Sequence, residues 1–438
     1  MFKELLSLSF TSQAVVITVI SSIIYIVFTF LRVILGPIIS PVYQVLHKLL
    51  LRAYSRNKQL ISTASPRSSQ QPPPQKAGAG SIKSLLKKSK NLVSTASKDH
   101  HNSHELFLEG LKGHTDDVLG LAFSKDGSAI ATVAADRIVR IFLFKPGRTS
   151  PSRQIELRKG VTDIAFCGSS SSIIAVQTQG LAGSAGLGAI DVSIAHHQQP
   201  DKLPGDVFLW EKENIHKNRL PGMCLLGAGD FLVSSTTATD IHVFSCHNGT
   251  EVGSVDHGGL TTHALAMSPD GTFFAAATFT SDVKLYRIIQ DKKTGSVQGV
   301  KKAMQLSGHK SKVLAVAFSP DSKSMVTASA DGTLKIWNIG VRYLEQEDPK
   351  LVLTFFPALQ PGQQYERLAW GPGGVIAAVK GTALHFIDAK SGNIMESVSG
   401  AHDKAITAMK WAPEKRDGVA VLATGGEDHR VRLWRAPS

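Results

Sequence analysis

The chain has 438 residues, 42% hydrophobic and 19% charged, which is too long for one ordinary domain of about 100–200 residues and too apolar for a wholly disordered chain. Its three cysteines, Cys167, Cys224 and Cys246, show no CxxC spacing, which excludes a zinc ribbon and a disulfide scaffold and points to a reducing compartment. The net charge of +13 sits almost wholly in residues 1–98, with 13 Lys and Arg against the single acid Glu4, so the near-neutral remainder is not a basic nucleic-acid-binding domain.

Leu5 to Leu31 is a run of 27 residues without a charge, densest over Ala14–Leu31. That is long enough for a helix to cross a bilayer and too long for the apolar region of a signal peptide. A second apolar stretch, residues 33–51, contains Gly36-Pro37 and Pro41, which interrupt a helix. Residues 1–51 therefore read as a membrane anchor in one of two geometries. Either residues 5–31 span once and the second stretch lies at the interface, or the two form a hairpin turning at 36–41. Lys48, Arg52, Arg56, Lys58 and Arg67 come after the span, against Lys3 and Glu4 before it. The positive-inside rule places residues 52–438 in the cytosol in both geometries.

Residues 52–104 read as a basic flexible linker. Its 62–80 segment is rich in Ser, Pro, Gln and Gly. In residues 81–93, Ile82, Leu85, Leu86 and Val93 share one helical face among Lys83, Lys87, Lys88 and Lys90. These lysines fit a basic helix on an anionic membrane surface, or a solvated tether. RNA or ribosome contact through 81–98 is a secondary expectation.

From residue 105 the sequence repeats every 40–50 residues, the mark of a propeller. The clearest unit is Gly308–Ile339, with strands expected at Val313–Phe318, Ser324–Ser329 and Leu334–Trp337 and a fourth at Leu351–Phe355. Related units run over Gly113–Phe142 and Ala401–Trp434. The recurring residues are His309, Thr327, Asp331 and Trp337; His402, Thr424, Asp428 and Trp434; and His114, Thr132 and Asp136, with Phe142 in the Trp place. A buried Asp needs a partner, which imidazole and hydroxyl groups supply and an indole N–H extends. Three copies at one repeat position argue for a structural role over catalysis or metal binding. Third strands are expected to end at Phe142, Trp210, Phe244, Tyr286, Trp337, Phe386 and Trp434, giving seven blades with a Gly-rich insertion near Thr178–Pro204. On that register Ala238, Thr280 and Lys380 replace the Asp of blades three, four and six, and blade two lacks the set as well. Glu105–Leu111 is a spare strand that would complete the last blade and close the ring.

The Gly-His and Ile-Trp ends, with Asp six residues before Trp and Thr four before Asp, resemble the WD-repeat family. The resemblance covers about residues 105–438 and implies an all-β, seven-bladed WD40 propeller, here preceded by an N-terminal transmembrane helix and a basic linker. It also implies that His, Thr, Asp and Trp form a hydrogen-bonded tetrad within a blade. Two stretches, Thr262–Tyr286 and Ala330–Lys350, look like one membrane-anchored branch of that family. This likeness implies an endoplasmic-reticulum scaffold that recruits protein partners near stress signalling and translation.

No GxxxxGK[ST], HExxH or GxSxG is present, so no enzyme, cofactor, metal or small-molecule substrate is expected. Gly180–Gly188 reads as a flexible loop, and His196-His197 lack the further ligands that a metal needs. A regulator of a small GTPase in vesicle budding is the alternative, but the propellers of that kind carry their membrane span after the repeats. A cullin ubiquitin-ligase substrate receptor is another, yet Trp337-Asn338-Ile339-Gly340 and Trp434-Arg435-Ala436-Pro437 lack its Trp-Asp-x-Arg ending. Asn248-Gly249-Thr250 is a glycosylation sequon that reports topology, since only a lumenal propeller would carry the sugar.

Overall fold

The computed structural model describes residues 104–145, 148–149, 153–167, 172–179, 185–192, 208–216, 223–228, 230–236, 240–256, 262–290, 297–345, 347–357, 359, 362–416 and 418–437. The proposed anchor and the proposed linker up to residue 103, with Lys83, Lys87, Lys88 and Lys90, lie outside them, as do His196 and His197. Among the described residues no helix is long and apolar enough to cross a membrane.

These residues form seven antiparallel sheets in chain order. Blade 1 takes Val118–Phe123, Ala129–Ala134, Ile138–Lys145 and Arg153–Glu156, with the short Arg148–Thr149 strand beside the third. Blade 2 takes Gly160–Phe166, Ile173–Gln179, Ala185–Asp191 and Phe208–Lys212, and blade 3 Met223–Ala228, Phe231–Thr236, Asp240–Ser245 and Glu251–Asp256. Blade 4 takes Thr262–Met267, Phe273–Thr278, Val283–Gln290 and Val297–Leu306. Blade 5 takes Val313–Phe318, Ser324–Ser329, Leu334–Asn338 and Lys350–Phe355, and blade 6 Arg367–Trp370, Val375–Lys380, Ala383–Asp388 and Ile394–Val398. Blade 7 takes Ile406–Trp411, Val421–Gly426 and Val431–Arg435, and its outer strand is Phe107–Leu111, paired so that Phe107 faces Trp434 and Leu111 faces Val431.

The first strand of each blade lies beside that of the next, and blade 7 returns to blade 1, so the first strands ring a central channel of about 490 Å³. Second and third strands carry near-continuous buried runs, such as Ala129–Ala134 and Val421–Gly426, because both faces of each sheet pack on neighbouring blades. Polar side chains stitch the seams. Thr407 Oγ1 donates to the Val118 carbonyl between blades 7 and 1. Trp411 Nε1 donates to the Ala369 carbonyl at 3.0 Å between blades 7 and 6.

Two register expectations are corrected. Trp210 lies on the outer strand of blade 2, and the third strand is Ala185–Asp191, inside the stretch expected to be a flexible insertion. Ile190 pairs with Ile174 as Trp337 pairs with Met325, so Ile190 takes the Trp place. Small residues conceal this strand for a steric reason. A Cβ on Gly188 would lie 2.5 Å from the Phe208 ring, and one on Gly186 2.6 Å from Thr178 Oγ1. Trp210 instead donates its indole N–H to the Cys246 carbonyl at 3.0 Å, bridging blades 2 and 3. In blade 6, Ile376 pairs with Ile387. Ile387 packs toward blade 5 as Trp337 packs toward blade 4, so Ile387 holds the Trp place and Phe386 faces blade 7. The Asp comparison for blade 6 then falls on Gly381 rather than Lys380.

Candidate functional site: buried histidine networks of the blades

In blade 5, His309 Nδ1 lies 3.0 Å from Asp331 Oδ2, and its Nε2 lies 2.7 Å from Thr327 Oγ1. Trp337 Nε1 donates to the same Thr327 oxygen at 2.9 Å. Blade 7 repeats the set, with His402 to Asp428 at 2.9 Å, His402 to Thr424 at 2.7 Å and Trp434 to Thr424 at 2.9 Å. Blade 1 holds His114 to Asp136 at 3.0 Å and to Thr132 at 2.9 Å, and closes with the Phe142 ring, which has no N–H to give.

One proton order satisfies every member. The indole donates to the Thr oxygen, the Thr hydroxyl donates to Nε2, and Nδ1–H donates to the carboxylate. Each carboxylate also fastens the backbone: Asp331 accepts from the Lys310 and Thr333 amides, at 2.9 Å each. Burial pushes the Asp331 carboxyl up, but hydrogen bonds from Thr333, the two amides and His309 outweigh it and hold the pKa at about 2. Asp136 and Asp428 are depressed by the same kind of contest. His114 and His309 are lowered, chiefly because burial disfavours the imidazolium more than the carboxylate favours it.

These are the atoms of a nucleophilic triad, but the arrangement cannot act as one. Thr327 and Thr424 are fully buried, and each hydroxyl oxygen already serves an indole and an imidazole. A substrate carbonyl has no path to it.

Sequence reasoning missed a network in blade 3. His216 Nε2 lies 2.9 Å from Ser234 Oγ, which also accepts from Gln177 Nε2 at 2.9 Å. His216 Nδ1 lies 3.2 Å from Asp240 Oδ2. The expectation that Ala238 marks a missing Asp is corrected, because the carboxylate arrives from Asp240, two residues later, at the start of the third strand. His216 stands 18 residues before Ser234, the spacing of His309 to Thr327 and His114 to Thr132. That spacing was the available signal. Blade 6 uses another pair, Tyr365 Oη to His385 Nδ1 at 2.7 Å. In blades 2 and 4, Val176 and Ala276 stand in the Thr place.

Cys167 and Cys246 are buried, and Cys246 hydrogen-bonds the Cys167 thiol, which with burial raises the Cys167 pKa. Asn248 lies in an exposed turn, with Gly249 at φ 64° and Thr250 Oγ1 donating to Asn248 Oδ1 at 2.8 Å.

The sequence model of the WD domain, G-beta repeat, matches residues 106–142, 300–338 and 395–435. These stretches hold the three networks that contain a His, Thr and Asp. The chain is 28% identical over 346 residues to human transducin beta-like protein 2, covering 77% of this chain and 73% of that one. The mouse protein of the same name is 28% identical over 352 residues. Actin-interacting protein 1 of Drosophila melanogaster is 27% identical over 176 residues, which are 40% of this chain and 26% of that protein.

Proposed function

We propose that this WD-repeat propeller is a non-catalytic scaffold, held at the endoplasmic reticulum membrane by its N-terminal apolar segment and facing the cytosol, where it recruits proteins of stress signalling or translation control. The reading rests most on blade 5, whose outer margin leaves large apolar side chains in solvent. Phe356 is 76% exposed and Val352 63%, and Leu344 and Leu351 are exposed nearby in sequence. Exposed apolar groups of this kind suit a protein partner. The sequence likeness to transducin beta-like protein 2 and the apolar run at 5–31 support the membrane half. Tethering to a surface raises the local concentration of whatever the propeller binds. RNA or ribosome contact through the basic segment 81–98 would be a secondary activity of the same scaffold.

The test is protease protection of the full chain in intact microsomes, with Asn248→Gln run alongside. Digestion from outside without a mobility change supports the cytosolic reading, whereas protection with a glycan lost in the variant overturns it. Proximity labelling from the full chain tests the scaffold half. Loss of labelled proteins in Val352→Glu/Phe356→Glu, with unchanged Tm, supports it. An identical labelling profile refutes a blade 5 docking surface.

A further inference from the structure

Two residues before the Trp place, the third strand of each blade with the His-Thr-Asp network carries a basic side chain. It is Arg140 in blade 1, Lys335 in blade 5 and Arg432 in blade 7, where Arg432 Nη1 meets Asp428 Oδ2 at 2.6 Å. Blade 3 has a carboxylate in its network but places His242 there. A permanent cation is thus replaced by a group with a nitrogen lone pair.

We infer that His216, Asp240 and His242 of blade 3 form a binding site for a divalent transition-metal ion of the zinc class. Their ligand atoms, one from each side chain, all lie within 4.8 Å of one another. His216 Nδ1 is 3.2 Å and His242 Nε2 3.3 Å from the same Asp240 Oδ2. Ligand atoms at about 2.0–2.2 Å from a tetrahedral zinc are separated by about 3.4 Å, so both edges match. Their partners aim the two imidazoles. His242 Nδ1 lies 2.8 Å from Glu251 Oε1, which fixes the Nδ1–H tautomer and leaves the Nε2 lone pair toward Asp240. Ser234 Oγ holds His216 by Nε2, and the buried Nδ1 makes no aligned hydrogen bond. Two nitrogens and a carboxylate oxygen converge, and a cation between them supplies the charge that arginine or lysine supplies in blades 1, 5 and 7. The donor set of two imidazoles and one carboxylate is one that zinc accepts, with a water in the fourth place. A bound ion would clasp the segment entering blade 3 to its third strand.

The experiment is equilibrium dialysis of the detergent-solubilised full chain against Zn²⁺, paralleled by Co²⁺ titration read through visible d–d absorption. The expected result is one equivalent of metal, tetrahedral cobalt bands and a higher Tm with zinc. His242→Ala should lose the bands and the zinc-dependent Tm rise while keeping its Tm in chelator. Should that variant fold poorly, Glu251→Gln alters an exposed residue and should weaken binding by about 10–100-fold. His429→Ala is the control, because Asp116, Asp117 and His429 form another cluster with metal-ligating groups, and it should bind as the parent does. Absence of stoichiometric binding, or binding unchanged in both His242→Ala and Glu251→Gln, overturns the site.

Discussion

Truncating the strand that closes the ring offers a sharp test of the fold, because a single strand contains both the perturbation and its control. Leu106 and Leu111 flank the strand at 6% and 5% exposure, whereas Leu108 between them is 45% exposed. Leu111 packs with Val118, Leu121, Phe142, Val431 and Leu433 between blades 7 and 1. Leu106 packs in the cluster of Trp434 and Leu422, and the Phe107 ring meets the Trp434 ring edge-on at 5.6 Å. Neighbours fixed in two sheets collapse little into a void, so Leu111→Ala should cost about 3 kcal/mol and Leu106→Ala a similar amount. The two leucines pack in separate clusters with no neighbour in common, so the losses add. The double variant then loses about 6 kcal/mol, comparable with the whole stability of many domains. Leu108→Ala should cost less than about 0.5 kcal/mol. Urea unfolding followed by tryptophan fluorescence reads the difference. With an m of about 3 kcal/mol/M, Leu111→Ala lowers the midpoint by about 1 M. Equal midpoints for Leu111→Ala and Leu108→Ala would refute the docking of this strand on blade 7.

The blade 7 network makes a second prediction: Thr424→Val strands the Trp434 N–H and His402 Nε2 in the core, and chemical denaturation should show a loss of about 2–4 kcal/mol. In blade 2, Gly188→Ala drives a methyl into the Phe208 ring and should lower the Tm, while a variant as stable as the parent would refute the close approach. Acid should act in two stages. His114, His216, His309 and His385 are held below 6.5 by burial, so the unfolded chain takes up protons first and stability falls as pH drops below about 6.5. Asp136, Asp331 and Asp428 are held below 3.8, so their contribution is complete above that value and is lost as pH falls through the folded pKa, about 2 for Asp331. A Tm that does not change between about pH 7 and pH 5 would sink the histidine stage.

Blades 1, 5 and 7 were legible because a buried Asp demands a fixed set of partners, and those partners recur at fixed spacings. Blade 2 was not, because its third strand meets Phe208 and Thr178 so closely that glycine must alternate along it, and Gly-rich sequence reads as loop. Gly-Leu-Gly-Ala-Ile does keep a strand's alternation, with Leu187 and Ala189 buried, but short side chains mute it. The blade 3 network was hidden by a two-residue shift of its Asp, which moves it to the start of the third strand. The cation-for-imidazole exchange at His242 became visible only once the strand register gave it the position that Arg432 and Lys335 hold in their own blades. In blade 6, an aromatic one residue from the Trp place drew the register to Phe386. Burial on both faces of the sheet makes adjacent positions equally apolar, so composition alone does not fix the phase.

Pairing of Phe107–Leu111 with Val431–Arg435 also bears on the time course of folding. Leu111 finds Val431, 320 positions further along the chain, a contact of the most non-local kind, which forms late and only after a large loop-closure cost. While the chain is being made, six blades can be complete before the seventh has its third strand, and Phe107–Leu111 must wait unpaired throughout. The nascent protein therefore carries an open strand edge at the start of the propeller, and a half-built blade later, during the period when unpaired edges invite association with other chains. Occupancy by chaperones should be greatest just before the last blade emerges and should drop once Trp434 is in place.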